Sequence, residues 1–219
     1  MVKVNMLNNT EINFKKNNMP LLQKRNNAKK WFSSDEAFNQ LYPFSIQVLA
    51  RRHWTPLMIA RKAAHYLGVE GNTKILDIGS GVGKFCLTAA HYDPHNFYYG
   101  VEQRKSLINH AKAAKNTLGM ENVCFINGNF TQIDFKNYDH FYFFNSFYEN
   151  LSGTDKIDDT IAYSGELYNY YNGFLYRQLE LKPAGTRLVT YHCLEDEVPK
   201  GYHIVGTEMN HLLKYWIKI

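Results

Sequence analysis

Residues 76–84 read LDIGSGVGK, three glycines at alternate positions directly after an apolar run and directly before a lysine. Glycine is the residue that turns a backbone sharply without a Cβ, so such a loop lets main chain approach a ligand closely. The turn suits a buried strand that feeds an amphipathic helix, and the rest of the chain repeats that alternation. Strands are expected at 74–78, 97–102, 123–127, 140–144 and 186–192, with helices at 84–92, 105–118 and 166–181. Leu107, Ile108, Ala111, Ala114 and Leu118 fall on one side of the second of these helices. Residues 202–206 and 212–219 read as an antiparallel closing pair, and 150–164 as a loop or lid. The implied fold class is α/β, a doubly wound, mainly parallel seven-stranded sheet with an antiparallel last strand, helices on both faces and an N-terminal helical arm.

Upstream, Thr55 reads as an N-cap and Pro56 as the first residue of a helix that Gly68 ends. Ser33-Ser34-Asp35-Glu36 reads as another helix start, and 44–52 as a second short helix. Residues 1–34 are rich in Asn and poor in apolar periodicity, as expected of a loosely ordered arm. The chain therefore divides into a basic arm with helices, 1–53, acting as a cap or lid, and a main domain, 54–219. Residues 1–55 hold nine Lys/Arg against three Asp/Glu, whereas 56–219 hold sixteen against seventeen. The basic excess thus belongs to the arm, which is either a solvated tail or a contact for nucleic acid, an acidic protein or an anionic surface. The start MVKVNMLNNT lacks the apolar core of a secretory signal, and no stretch approaches a membrane span. Three scattered cysteines make no C-x-x-C pair. A cytoplasmic setting with no membrane partner and no metal is expected, and no feature signals an oligomeric state.

Three ligands compete for the glycine loop. A phosphate loop needs G-x-x-x-x-G-K-[ST], but Phe85 follows Lys84 and Ile78 stands where the first glycine belongs. A dinucleotide fingerprint needs G-x-G-x-x-G/A, and Lys84 occupies its third position. The pattern present is acidic-x-G-x-G-x-G, from Asp77 to Gly83. It resembles motif I of the class I S-adenosylmethionine-dependent methyltransferases. The resemblance continues at Val101-Glu102-Gln103, at Asn127-Gly128-Asn129-Phe130 and at 181–189, LKPAGTRLV, and spans roughly 54–219. It implies S-adenosylmethionine as cofactor, S-adenosylhomocysteine as product, and a cofactor site built from Thr55, Asp77, Gly79, Ser80, Gly81, Gly83, Glu102, Gln103, Asn129, Phe130 and Asn145. Asp77 would face the ligand's ammonium group and Glu102 its ribose hydroxyls. Asn129 stands where the family has Asp, and its carbonyl would accept from the adenine amine.

The four residues ending the fourth strand, Asn145-Ser146-Phe147-Tyr148, resemble the [N/D/S]-P-P-[Y/F/W] segment of amine-directed members, without the two prolines. His53-Trp54-Thr55-Pro56 is similar to the aromatic-T-P segment of amino-methylating DNA methyltransferases. The glycine loop, Val101-Glu102-Gln103 and Asn145-Ser146-Phe147 are also similar to the non-SET histone lysine methyltransferases. The shared implication is N-methylation of an amine on a protein or other macromolecule, with Asn145 and Tyr148 as catalytic residues. A small-molecule O- or N-methyltransferase and a non-catalytic cofactor-binding protein stay open, so the acceptor is a protein, a nucleic acid or a small molecule. Tyrosines crowd 148–176 and read mostly as packing; His192-Cys193, at a strand end, is a candidate substrate-facing pair.

Overall fold

The computed structural model describes residues 29–219; residues 1–28, most of the expected arm, lie outside the described residues. Seven strands form one sheet: β1 (Lys74–Ile78), β2 (Phe97–Glu102), β3 (Val123–Asn127), β4 (His140–Phe143), β5 (Arg187–Tyr191), β6 (Tyr202–Glu208) and β7 (Leu213–Lys218). Their spatial order is β3-β2-β1-β4-β5-β7-β6. The first five pair in parallel, and β7 runs antiparallel to both β5 and β6. The expected sheet, including its antiparallel last strand, is therefore present. Among the described residues, no helix is long and apolar enough to cross a membrane.

Among the described residues, seven α-helices complete the fold: α1 (Asp35–Asn39), α2 (Phe44–Gln47), α3 (Ala50–His53), α4 (Leu57–Leu67), α5 (Lys84–Tyr92), α6 (Lys105–Leu118) and α7 (Gly165–Glu180). Side-chain alternation along β1 assigns the two faces of the sheet. Ile75 joins the core made with α4, α5 and α6, through Ala63, Leu67, Phe85, Ala89 and Ile108. Leu76 and Ile78 join the opposite core, capped by Leu175 and Leu179 of α7. Because β1 is covered on both sides, KILDI has a buried residue at every position after the first, as a central parallel strand requires. Helix α6 buries the five apolar positions expected of it and stops at Gly119, whose φ of 65° is the left-handed conformation of a helix C-cap.

Three expectations about the N-terminal segment need correction. The span 44–52 is two helices, Phe44–Gln47 and Ala50–His53, because the chain tightens between them: the Leu49 and Arg52 N–H groups bond three residues back, to Ile46 O and Leu49 O. The arm is not loose to position 34. Lys30–Phe32 form a single 3-10 turn, and the buried Phe32 ring stacks on His91 at 3.9 Å. Thr55 does not cap α4. The Leu57 N–H donates to Asp35 Oδ1 at 3.0 Å, while the Thr55 hydroxyl shares a 3.0 Å hydrogen bond with the buried Tyr142 hydroxyl. Phe38, Tyr42 and Trp54 belong to the same core as α4 and α5, so the helices before position 54 are packed onto the sheet domain.

Candidate active site

In the order β3-β2-β1-β4-β5 the chain reverses its direction of travel between β1 and β4. Ligands of open α/β sheets bind at the carboxyl ends of strands beside such a switch point. There the ends of β1, β2 and β4 open into one cavity of about 620 Å3. It is bordered by every residue expected at the cofactor site except Gly83, and by both expected catalytic residues, Asn145 and Tyr148.

The glycine loop forms its floor. Gly79, Gly81 and Gly83 all have positive φ, at 77°, 53° and 83°. Gly83 is also required by close approach, since a Cβ there would lie 2.3 Å from the Phe125 ring. Gly81 has nothing within 4 Å of its missing Cβ and borders the cavity. The Gly79 and Ser80 N–H groups both donate to Val101 O, which pins the loop to β2. The Ser80 hydroxyl is buried with no protein partner.

Lys84, next to this loop, is not a phosphate ligand. Its ammonium is buried, bonds to Asp35 and Asn39, and lies 5.3 Å from the Phe38 ring centroid. Burial lowers its pKa and Asp35 opposes that shift. Tyr42 adds a second tie by donating to Val82 O at 3.0 Å. The N-terminal helices therefore brace the loop from behind.

Two carboxyl groups lie on the cofactor side. Asp77 is buried, and burial pushes its pKa up to about 8. The thiol of Cys86 opposes this by donating a hydrogen bond, and the charge of Glu102 adds to it. A buried carboxyl with no cationic partner suits an arriving ammonium group. Glu102 is also buried and its pKa is raised, chiefly by that burial. Its Oε2 accepts from the Gly81 N–H at 3.3 Å and its Oε1 from the Arg104 N–H at 2.8 Å. Each oxygen keeps acceptor capacity for a diol. Gln103 is exposed at the rim, and its backbone oxygen accepts from Asn127 at 3.0 Å.

Asn129 is arranged differently from the expectation. Its carbonyl oxygen caps the following turn, accepting from both the N–H and the hydroxyl of Thr131 at 3.0 Å. Its amide donates to Tyr171 at 2.8 Å. The Asn129 carbonyl therefore has both lone pairs engaged and would have to release Thr131 to read an adenine amine. Phe130 stacks on Phe147 at 4.8 Å, an apolar wall beside this corner. Taken together, the open Gly81 backbone and the two carboxyl groups fit a ligand with an ammonium group and a ribose.

The other half of the cavity begins where β4 ends. Asn145 has φ of 35°, unusual for a residue with a side chain. Its backbone oxygen accepts from the Tyr148 N–H at 3.1 Å, closing a tight turn. Inside that turn, Ser146 Oγ donates to Ile78 O at 2.7 Å, which locks the β4 end to the β1 end without the prolines of the resembling segment. Tyr148 is half-exposed at the mouth. Across from it, His192 follows β5 with φ of 57° and borders the cavity, with its ring 4.3 Å from that of Tyr191. Burial lowers the pKa of His192, which favours its neutral form. Cys193 points away, and its thiol donates to Glu197 at 3.1 Å. Of the tyrosines, Tyr168 and Tyr171 are tied to Glu197 and Asn129. The basic residues Arg51 and Arg52 of α3 border the cavity as well. Among the described residues, no group of three or more His, Cys, Asp or Glu is arranged to hold a metal ion.

Two participants carried no sequence signal. Asp35 joins the α4 N-terminus to Lys84 across long chain separations. Arg104 looks like an ordinary surface cation beside Lys105, yet it is buried between two walls of the cavity.

A family model described as a methyltransferase domain matches residues 69–216. A tRNA (guanine-N(7)-)-methyltransferase of Synechococcus sp. (strain JA-3-3Ab) is 44% identical over 54 residues, 25% of this chain and 23% of that protein. The chain thus spans about a quarter of that relative's length in the match. Among solved structures, TrmN from Thermus thermophilus aligns with a TM-score of 0.54 at 18% identity, over 80% of this chain and 52% of that one. Magnesium protoporphyrin IX methyltransferase (ChlM) from Synechocystis PCC 6803, with bound SAM, aligns with a TM-score of 0.55 at 15% identity, over 81% and 86%. These structural likenesses establish the shared fold.

Proposed function

The chain belongs to the methyltransferase-domain family, and we propose that it transfers a methyl group from S-adenosylmethionine to a nitrogen of a macromolecular acceptor. The observation that carries this reading is one continuous cavity. It has the glycine loop, Asp77 and Glu102 on one side, and Asn145 and Tyr148 on the other.

S-adenosylmethionine, when bound, supplies a sulfonium methyl carbon already activated for attack. The work left to the chain is to place the nucleophile, and positioning of this kind is worth roughly 7–11 kcal/mol. Asp77 and Glu102 hold the donor through its ammonium and ribose, while Gly81 offers backbone without a Cβ. Asn145 accepts a hydrogen bond from the acceptor amine and aims its lone pair, and Tyr148 covers the acceptor at the mouth. A lysine acceptor, with its ordinary pKa near ~10.4, would first have to lose a proton. A nucleobase amine needs no such prior loss; Asn145 steers it, and the proton that its nitrogen sheds on methylation passes to solvent at the open mouth.

RNA is the macromolecule with most support. Arg51 and Arg52 stand at the mouth, the basic excess of the chain lies in its first 55 residues, and the Synechococcus relative is named for a tRNA activity. Phosphate contacts by such residues would make binding strongly salt-dependent. The test is methyl transfer from tritiated S-adenosylmethionine to separated RNA, protein and small-molecule fractions of a cell extract. Label in RNA, lost on ribonuclease treatment, is expected. Label in the small-molecule fraction alone would overturn the macromolecular reading, and no label in any fraction would overturn catalysis.

A further inference from the structure

Among the described residues, Arg104 is the one guanidinium buried between the donor and acceptor halves of the cavity. Its side chain is 4% exposed, and it sits at the start of α6, two residues beyond Glu102. Its backbone N–H fixes Glu102 Oε1, and its Nη1 lies 3.7 Å from the same oxygen. The other edge of the fork turns toward the segment after β4. Nη2 donates to Glu149 and, at 2.6 Å, to the Tyr163 hydroxyl; Nε donates to Asp158 at 3.2 Å. Despite burial, the carboxylates of Glu149 and Glu102 hold its pKa above the ordinary value.

The segment it grips, 151–163, has no regular helix or strand and is held inward by polar contacts. Tyr163 bonds to Glu149 and to Asp158 O, and the Ile157 N–H donates to Glu149 at 3.2 Å. Lys156 donates to the Glu149 and Leu151 carbonyls, and Arg52 of α3 pairs with Asp155. Glu149 directly follows Tyr148, so whatever orders Glu149 also orders the acceptor wall. Three carboxylates converge on one guanidinium, and they come from the strand expected to hold the ribose, the turn expected to hold the acceptor, and the loop covering it. Arginine suits this place because its planar fork serves several acceptors at fixed angles, whereas lysine offers a single point charge.

We propose that Arg104 is a positioning residue that joins donor binding to ordering of the acceptor wall, through Glu102 on one side and Glu149, Asp158 and Tyr163 on the other. The inference rests on the reading of Glu102 as the donor's ribose ligand. A donor that settles Glu102 fixes the guanidinium, and the guanidinium fixes the 149–163 segment. Free energies of coupling are reciprocal, so a change at Glu149 must alter donor affinity by the same route.

The test needs no acceptor. S-adenosylhomocysteine is titrated into the full chain and into the Glu149→Gln, Arg104→Gln and Arg104→Lys variants and the Glu149→Gln/Arg104→Gln double variant, with amide hydrogen exchange followed across 149–163. Thermal unfolding checks that each variant folds, and Arg104→Lys keeps the charge should Arg104→Gln fail to fold. S-adenosylhomocysteine should slow exchange in 149–163 several-fold in the unaltered protein and not in either Arg104 variant. Glu149→Gln should weaken its binding about fivefold when Arg104 is present, and less than twofold when it is not, a non-additivity that a merely structural tie would not show. Binding that leaves exchange in 149–163 unchanged would overturn the proposal while leaving the donor site intact. Equal effects of Glu149→Gln in both backgrounds would do the same. No binding by the unaltered protein would overturn the donor assignment and this inference with it.

Discussion

If Asp77 receives the donor's ammonium group, donor binding must expel a proton. Burial raises its pKa to about 8 from an ordinary 3.8, and its titratable neighbours are the Cys86 thiol, the Glu102 carboxylate and the Tyr142 hydroxyl, none of them cationic. A group with that pKa is about 90% protonated at pH 7. The incoming cation favours the carboxylate, so roughly 0.9 proton should leave per donor bound at pH 7, falling to about half a proton at pH 8. Affinity should drop about tenfold for each pH unit below 7. Calorimetric titration of S-adenosylhomocysteine in two buffers of different ionisation enthalpy counts those protons directly. The same shift affects stability, with a definite sign. The folded pKa lies above the unfolded one, so the stabilising contribution is complete below about pH 4 and is lost as pH rises towards 8. Its ceiling, a shift of about four units at 1.36 kcal/mol each, is on the order of 5 kcal/mol. Asp77→Asn should therefore match the native protein near pH 4, unfold at a higher temperature near pH 8, and bind donor with little pH dependence between 6 and 7.5. Equal heats in both buffers, or a native protein as stable relative to Asp77→Asn at pH 8 as at pH 5, would refute the argument.

Other expectations follow from particular contacts. Gly83→Ala combines a φ of 83° with a Cβ placed 2.3 Å from the Phe125 ring. It should cost about 3 kcal/mol, read as a lower midpoint in denaturant. Asp35→Ala uncaps α4 and leaves the buried Lys84 ammonium without its anion, a loss of about 2–3 kcal/mol because Asp35 itself is partly exposed; thermal unfolding measures it. Asn145→Ala and Tyr148→Ala should each lower kcat by about 100-fold, with donor affinity in Tyr148→Ala unchanged, as shown by single-turnover methyl transfer beside calorimetry. Unchanged turnover in both would remove them from the acceptor site.

The parts of the fold that were legible are those written in local periodicity. KILDI followed by a glycine turn and a helix needs only neighbours in sequence to be recognised, and Glu102 is placed by the end of the next strand. The parts that were not legible depend on contacts across the chain. Thr55 has the right chemistry for a cap, yet Asp35 reaches the α4 N-terminus first, and Tyr142 takes the threonine hydroxyl. The span 44–52 holds no proline or glycine to announce a break, and the break shows only in the backbone, where Leu49 and Arg52 bond three residues back instead of four. Asn129 sits where expected along the chain, but Thr131, two residues on, occupies its carbonyl. Arg104 is polar by composition and buried by topology, because β2 and the turn after β4 close over it from opposite sides.

The central claim is that this cavity binds a sulfonium nucleoside. It is tested most directly by titrating the purified chain with S-adenosylmethionine and S-adenosylhomocysteine beside NADH and ATP, and repeating the titration with Glu102→Ala. Saturable binding of the first two alone, weakened at least tenfold by the substitution, is expected. Binding of NADH or ATP in their place, or no binding of the sulfonium pair, would contradict it.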